Sequence, residues 1–133
     1  MVPDLLFHVV SNRKWKMQIR DGVYRPEYFR EENGVETVCG EDLNTYLNHE
    51  FAGRKNLLLV VIETSRLKKR NAIKEEQSKR ESDETSSDKS SDKVTIYRIP
   101  EPIHKLAVLD KIRIDCNESG TFDIQLRQDG EHQ

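Results

Sequence analysis

Residues 56–63 read NLLLVVIE, and this run decides the architecture. The six apolar residues at 57–62 leave no polar face and are too few for a buried helix, so they predict a strand covered on both faces inside a sheet. Such a strand needs partners on both sides. Upstream, residues 4–10 (DLLFHVV) have the same character except for His8. Val35, Thr37 and Cys39 alternate with Glu36 and Val38, a further strand signal. Downstream, strands are expected at 94–99, 107–114 and 121–126, the last two separated by the turn-forming CNESG at 116–120. Between the first strands lie two helix signals. Ser11 is a good N-cap for a helix carrying Trp15 and Ile19 one turn apart, with Gly22 as its stop. Pro26 forces Arg25 out of the helical region, so residues 22–29 read as irregular. Residues 41–53 then place Leu43, Tyr46, Leu47, Glu50 and Phe51 on one helical stripe, with two acids in the first turn and Gly53 after it. The order β-α-β-α-β followed by further strands predicts an α+β domain.

Length and composition bound the function. A chain of 133 residues suits a single domain. Lys and Arg number 22 against 24 Asp and Glu, so no global basic field invites nucleic acid. No apolar run is long enough to span a bilayer, and the first residues lack a signal-peptide pattern. A cytoplasmic monomer with free thiols at Cys39 and Cys116 is expected. Residues 77–93 (QSKRESDETSSDKSSDK) contain no apolar side chain and predict a disordered acidic, Ser-rich loop inserted into the domain, with 127–133 a flexible tail. Ser78 with Glu81, and Thr85 with Asp88, match the preference of acidophilic kinases, which makes the loop a candidate contact for a protein partner; plain solvated low complexity is the simpler reading.

No standard catalytic signature is present. The chain has no glycine-rich phosphate loop, no Gly-x-Ser-x-Gly elbow and no Cys-x-x-Cys pair. His8, His49, His104 and His132 fall at spacings with no metal-ligand pattern. Residues 12–20 interleave basic side chains with Trp15, but Trp15 shares a face with Ile19 and reads as core. His8 is the residue that needs explaining. An imidazole within an apolar strand must have its N–H satisfied by a neighbour or a ligand, since an unpaired buried polar group costs about 1–3 kcal/mol.

Several blocks in order resemble the domain-of-unknown-function 952 family: LFHVVS at 6–11, Trp15, GVYRPEYF at 22–29, GVETVC at 34–39, FAGRKNLLLVVIETSRL at 51–67, and IYRIPEPIHKLAVL at 96–109. The resemblance covers nearly the whole chain outside the insertion. It implies an ADP-ribosyltransferase-like fold, with two small curved, mostly antiparallel sheets, two principal helices and a cleft between the sheets. The chain departs from the family at two histidine positions, occupied here by Thr37 and Thr95, and at a glycine, occupied by Arg98. A threonine cannot shuttle protons near neutral pH. The resemblance implies a ligand-binding set of His8, Tyr24, Thr37, Thr95, Tyr97 and Arg98, with Tyr28 as another stacking ring and Glu75 or Glu76 as an acid. The ligand implied is NAD, ADP-ribose or a similar small nucleotide. No catalytic residue and no metal ligand are assigned.

Three classes of function remain open on these residues. The first is a diverged, catalytically weak or inactive member keeping a small-molecule cleft. The second is an active transferase or hydrolase on NAD or an ADP-ribosyl group, and the third an interaction module with a phosphorylatable loop. His8 itself stays open between a ligand contact and a core residue bonded to a backbone carbonyl.

Overall fold

The computed structural model describes residues 2–27, 29–30, 32–78 and 94–124. In chain order these form β1 (Leu5–Ser11), α1 (Asn12–Gln18), β2 (Ile19–Arg20), β3 (Val23–Tyr24), β4 (Val35–Val38), α2 (Leu43–Glu50), β5 (Leu57–Glu63), β6 (Lys74–Ser78), β7 (Val94–Ile99), β8 (Ile103–His104) and β9 (Val108–Ile114). A six-stranded sheet runs β6-β7-β4-β1-β5-β9 and a three-stranded sheet runs β2-β3-β8. All of the described pairings are antiparallel. The molecule is thus an α+β fold with two antiparallel sheets and two helices.

Side-chain alternation divides the core into two layers. On one face of the large sheet, Leu6, Val10, Val35, Leu58, Val60, Ile62, Tyr97 and Ile99 pack with Trp15 of α1 and with Tyr24 and Ile103 of the small sheet. On the other, Phe7, Val9, Val38, Leu57, Leu59, Val61 and Ile96 pack with Leu43, Tyr46 and Leu47 of α2 and with Phe122. Strand β5 is buried from Leu57 through Ile62, as a strand feeding both layers must be.

Local signals explain most boundaries, and several expectations are corrected. Ser11 does cap α1, its hydroxyl accepting from the Lys14 amide at 3.1 Å. The helix ends at Gln18, however, and Ile19 is already extended. Gly22 is no helix stop: Asp21 and Gly22, both at positive φ, form the two-residue turn of a β2–β3 hairpin, the role to which Asp-Gly is suited. In α2, Glu50 is exposed and leaves the stripe; Leu43, Tyr46 and Leu47 are buried, and Phe51, the C-cap, packs half-buried against them with its ring edge-on to Tyr46 at 5.9 Å.

Gln77 and Ser78, assigned above to the loop, belong to β6, which pairs with β7 from Lys74↔Arg98 to Ser78↔Val94. The rest of the expected loop, residues 79–93, and the expected tail at 127–133 lie outside the described residues. The strand expected at 121–126 is absent over its described part, 121–124. There α2 stands in for a partner strand. Asn44 accepts from the Ile124 N–H and donates to its carbonyl, and Asn48 does the same with Phe122, all at 2.6–3.1 Å. Both thiols are free.

Candidate functional site

The site begins with an asymmetry in β1. On one side β1 is zipped to β5 through seven consecutive pairs, Leu5↔Glu63 to Ser11↔Leu57. On the other, β4 meets it at a single pair, Phe7↔Val38. Beyond that pair a side chain carries the connection. His8 Nδ1–H donates to the Glu36 carbonyl at 2.9 Å. The other ring nitrogen, Nε2, lies 2.8 Å from the Tyr24 hydroxyl.

Together these bonds define the proton positions. A carbonyl only accepts, so Nδ1 carries the hydrogen, and Nε2 of the neutral ring accepts from Tyr24. Burial lowers the His8 pKa, outweighing the opposing effects of the bond to the Glu36 backbone and of the Glu36 charge. Burial likewise drives the Tyr24 phenol well above its usual range, so it remains a donor. Tyr24 stacks on Trp15 with ring centroids 4.5 Å apart, and the Lys111 ammonium lies 5.6 Å from the Trp15 ring centroid. The hairpin turn at Asp21-Gly22 and the N-cap at Ser11 therefore set the ring that holds His8.

Continuing the antiparallel registers places Glu75, Tyr97, Thr37, His8, Val60 and Lys111 in one row across the large sheet, all on the small-sheet face. Thr37 is fully buried, and its hydroxyl donates to the Tyr97 carbonyl at 2.8 Å. Thr95 shares this face; its hydroxyl accepts from Gln77 Nε2 at 3.0 Å, and its backbone N–H donates to Asp42 Oδ2 at 3.1 Å. Arg98 is the member of the expected set that does not join it. Adjacent to Tyr97 in β7, it points to the opposite face, 3.5 Å from Glu36 Oε1 and 3.0 Å from Glu76 Oε1. Glu76 lies with it, away from His8, and Tyr28 is outside the described residues.

Sequence reading missed Glu36, whose carbonyl meets His8 and whose Oε2 accepts from the Tyr46 hydroxyl at 2.8 Å. It also missed Lys111. The signal for Lys111 was its register against Val60, recoverable only once the β5–β9 pairing is known. Two surface depressions, of about 490 and 590 Å³, lie by the β2–β3 hairpin and by Pro100–Pro102, and neither is lined by the six expected ligand residues. Among the described residues no group of three His, Cys, Asp or Glu could hold a metal ion, and no helix is long and apolar enough to cross a membrane.

Comparison with protein-family models and with curated proteins finds no match. Among solved structures, the fold is similar to protein CC0527 from Caulobacter crescentus. The crystal structure of that protein superposes with a TM-score of 0.65 at 16% identity, over 88% of this chain and 91% of that one. Its solution structure gives 0.61 at 15% identity, over 90% and 91%. At this identity the likeness concerns the fold.

Proposed function

We propose that the chain is a diverged relative of the domain-of-unknown-function 952 family, of ADP-ribosyltransferase-like architecture, that binds a small molecule beside His8 without acid–base chemistry. The observation that carries the reading is the neutral imidazole, bonded at both nitrogens, at the one-pair junction between β1 and β4. A ring so held donates no proton at neutral pH, and its base nitrogen is already engaged by a phenol. A ligand carrying a hydroxyl or amide donor could displace the Tyr24 hydroxyl from Nε2 while the Glu36 bond stays intact. Arg98, turned to the opposite face, is not there to receive a diphosphate, so the nucleoside or nicotinamide portion of an NAD-like ligand is the part this face suits.

A thermal-shift screen of the full chain with NAD, ADP-ribose, nicotinamide and adenosine tests this. A midpoint rise that follows RT ln(1 + [L]/Kd), with NAD intact by NMR after prolonged incubation, is the expected result. Steady consumption of NAD would refute binding without chemistry, and no rise with any compound would refute the site. The Glu36 bond favours a second reading, in which His8 only ties two strands. His8→Asn separates the two, since it keeps a donor at the δ position and removes Nε2. Loss of ligand binding with retained stability supports the site; retained stability in a protein that binds none of the four supports the tie.

A further inference from the structure

The α1–β2–β3 unit is charged with one sign. Residues 12–25 carry Arg13, Lys14, Lys16, Arg20 and Arg25 against a single acid, Asp21. All five cations are exposed, and among the described residues none is in an ion pair. In the hairpin, Ile19 and Tyr24 face the core, so alternation puts Arg20 and Val23 on the outer side. The Arg25 N–H donates to the Gln18 carbonyl at 3.2 Å, which carries the ladder one step further and brings Arg25 onto the same side. Arg20 and Arg25 are then diagonal neighbours, their Cβ atoms about 7 Å apart. What holds Arg25 is a ring and not a carboxylate. Its guanidinium lies over Phe29, 5.3 Å from the ring centroid, which leaves its N–H donors free. Arg25 also joins the two depressions: it lines the one of about 490 Å³ with Met17, Arg20 and Val23, and the one of about 590 Å³ with Phe29, Pro100 and Pro102. Met17, 62% exposed, and Val23 give the first an apolar lining beside the two arginines.

We propose that this outer face of the small sheet docks an extended acidic segment of a partner protein, whose carboxylates pair with Arg20 and Arg25 and whose aliphatic side chain sits on Met17 and Val23. Two like charges held about 7 Å apart, with no carboxylate partner among the described residues, favour a ligand that supplies two negative groups at that spacing. Acids two residues apart in an extended peptide lie on one side of it, about 6.8 Å apart. A nucleic-acid backbone or an anionic bilayer would instead meet Glu27, Glu32 and Glu101, which line the same two depressions, and a base would find Trp15 and Tyr24 buried. The face lies across the small sheet from the contact of Tyr24 with His8, so it holds or fails independently of a ligand there.

The test is an NMR titration of the full chain with the peptide acetyl-Leu-Ser-Asp-Ser-Asp-Ser-Leu-amide, whose alternate residues set Leu, Asp, Asp and Leu on one side. Saturable shifts of the Arg20, Val23 and Arg25 amides are expected, weakening as salt is raised. Arg20→Gln and Arg25→Gln should each weaken binding about tenfold, and Met17→Ser about threefold. Lys74→Gln, at an exposed cation on the far face of the large sheet, should leave it unchanged and serves as the charge-matched control. Absence of saturation, equal binding of the peptide with Asn in place of Asp, or binding indifferent to Arg25→Gln would each overturn the proposal. Saturable binding of polyuridylate or of phosphatidylserine vesicles, with none of the peptide, would give the face to a different anion and overturn it as well.

Discussion

The two flanks of β1 obey different rules. Toward β5, seven backbone pairs run without interruption between side chains that are almost all apolar. Toward β4 there is one pair, followed by a side-chain bond from His8 to the Glu36 carbonyl. One strand of sequence LLFHVVS therefore holds a seam closed by main-chain bonds and burial, and another whose second tie is a single ring. Free energy in the first is spread over many contacts; in the second it is concentrated in one residue with two partners.

The largest effect should come from the closed seam. Ile62→Ala removes a fully buried side chain of β5 opposite Leu6 and should lose about 2–5 kcal/mol in urea denaturation. A loss under 1 kcal/mol would mean that the β1–β5 seam is not where stability resides.

Next comes the open seam. His8→Phe leaves the Glu36 carbonyl and the Tyr24 hydroxyl without their ring partner, an expected loss of about 1–3 kcal/mol. It should also alter the pH profile. The folded His8 pKa is lowered relative to the unfolded value near 6.5, so the unfolded chain takes up a proton first as pH falls. The His8 contribution is complete above that value and is lost progressively as pH drops below it toward the folded pKa. Stability at pH 7 minus stability at pH 5 should therefore be smaller in His8→Phe than in the parent chain. An unchanged difference would refute the neutral, doubly bonded imidazole.

The same contrast explains what could be read from the sequence. The closed seam was legible because its cause is local: six apolar residues in a row at 57–62 have few ways to be buried. The α1 cap was legible for the same reason, since Ser11 acts on a residue three positions away. Strand β6 was not, because KEEQS has no apolar alternation and owes its form to pairing with β7. The Asn44 and Asn48 clamp was half legible: two amides four residues apart mark one helix face, but nothing local names the backbone they grip. Arg98 could have been excluded at the outset. Adjacent residues in a strand point to opposite faces, so Tyr97 and Arg98 cannot both face His8. Asp-Gly at 21–22 was also a readable hairpin signal, set aside in favour of a helix stop. The register linking His8 to Thr37 and Lys111 required the fold.

Asn44→Ala should have an intermediate effect. It removes both bonds to Ile124, an expected loss of about 1–2 kcal/mol, with faster amide exchange at Ile124 and little change in β1. Equal acceleration in β1 would show that the α2 layer and the open seam are coupled rather than separate.

The smallest effect is expected at Thr37, and its size tests where the open seam ends. Thr37 lies opposite His8 by register, yet its hydroxyl faces away from β1, donating to the Tyr97 carbonyl within the β4–β7 ladder. Thr37→Val keeps the shape, deletes that bond, worth about 0.5–1.5 kcal/mol, and exchanges a hydroxyl for a buried methyl, which returns up to about 0.8 kcal/mol. The gain offsets part of the loss, so the net loss stays below about 1.5 kcal/mol. If β4 and β7 move as one body against β1, the substitution should also leave the His8 ring resonances in place. A loss above 2 kcal/mol, or a shift of those resonances, would show that Thr37 belongs to the junction with His8, and the seam would then extend one strand further than the hydrogen bonds place it.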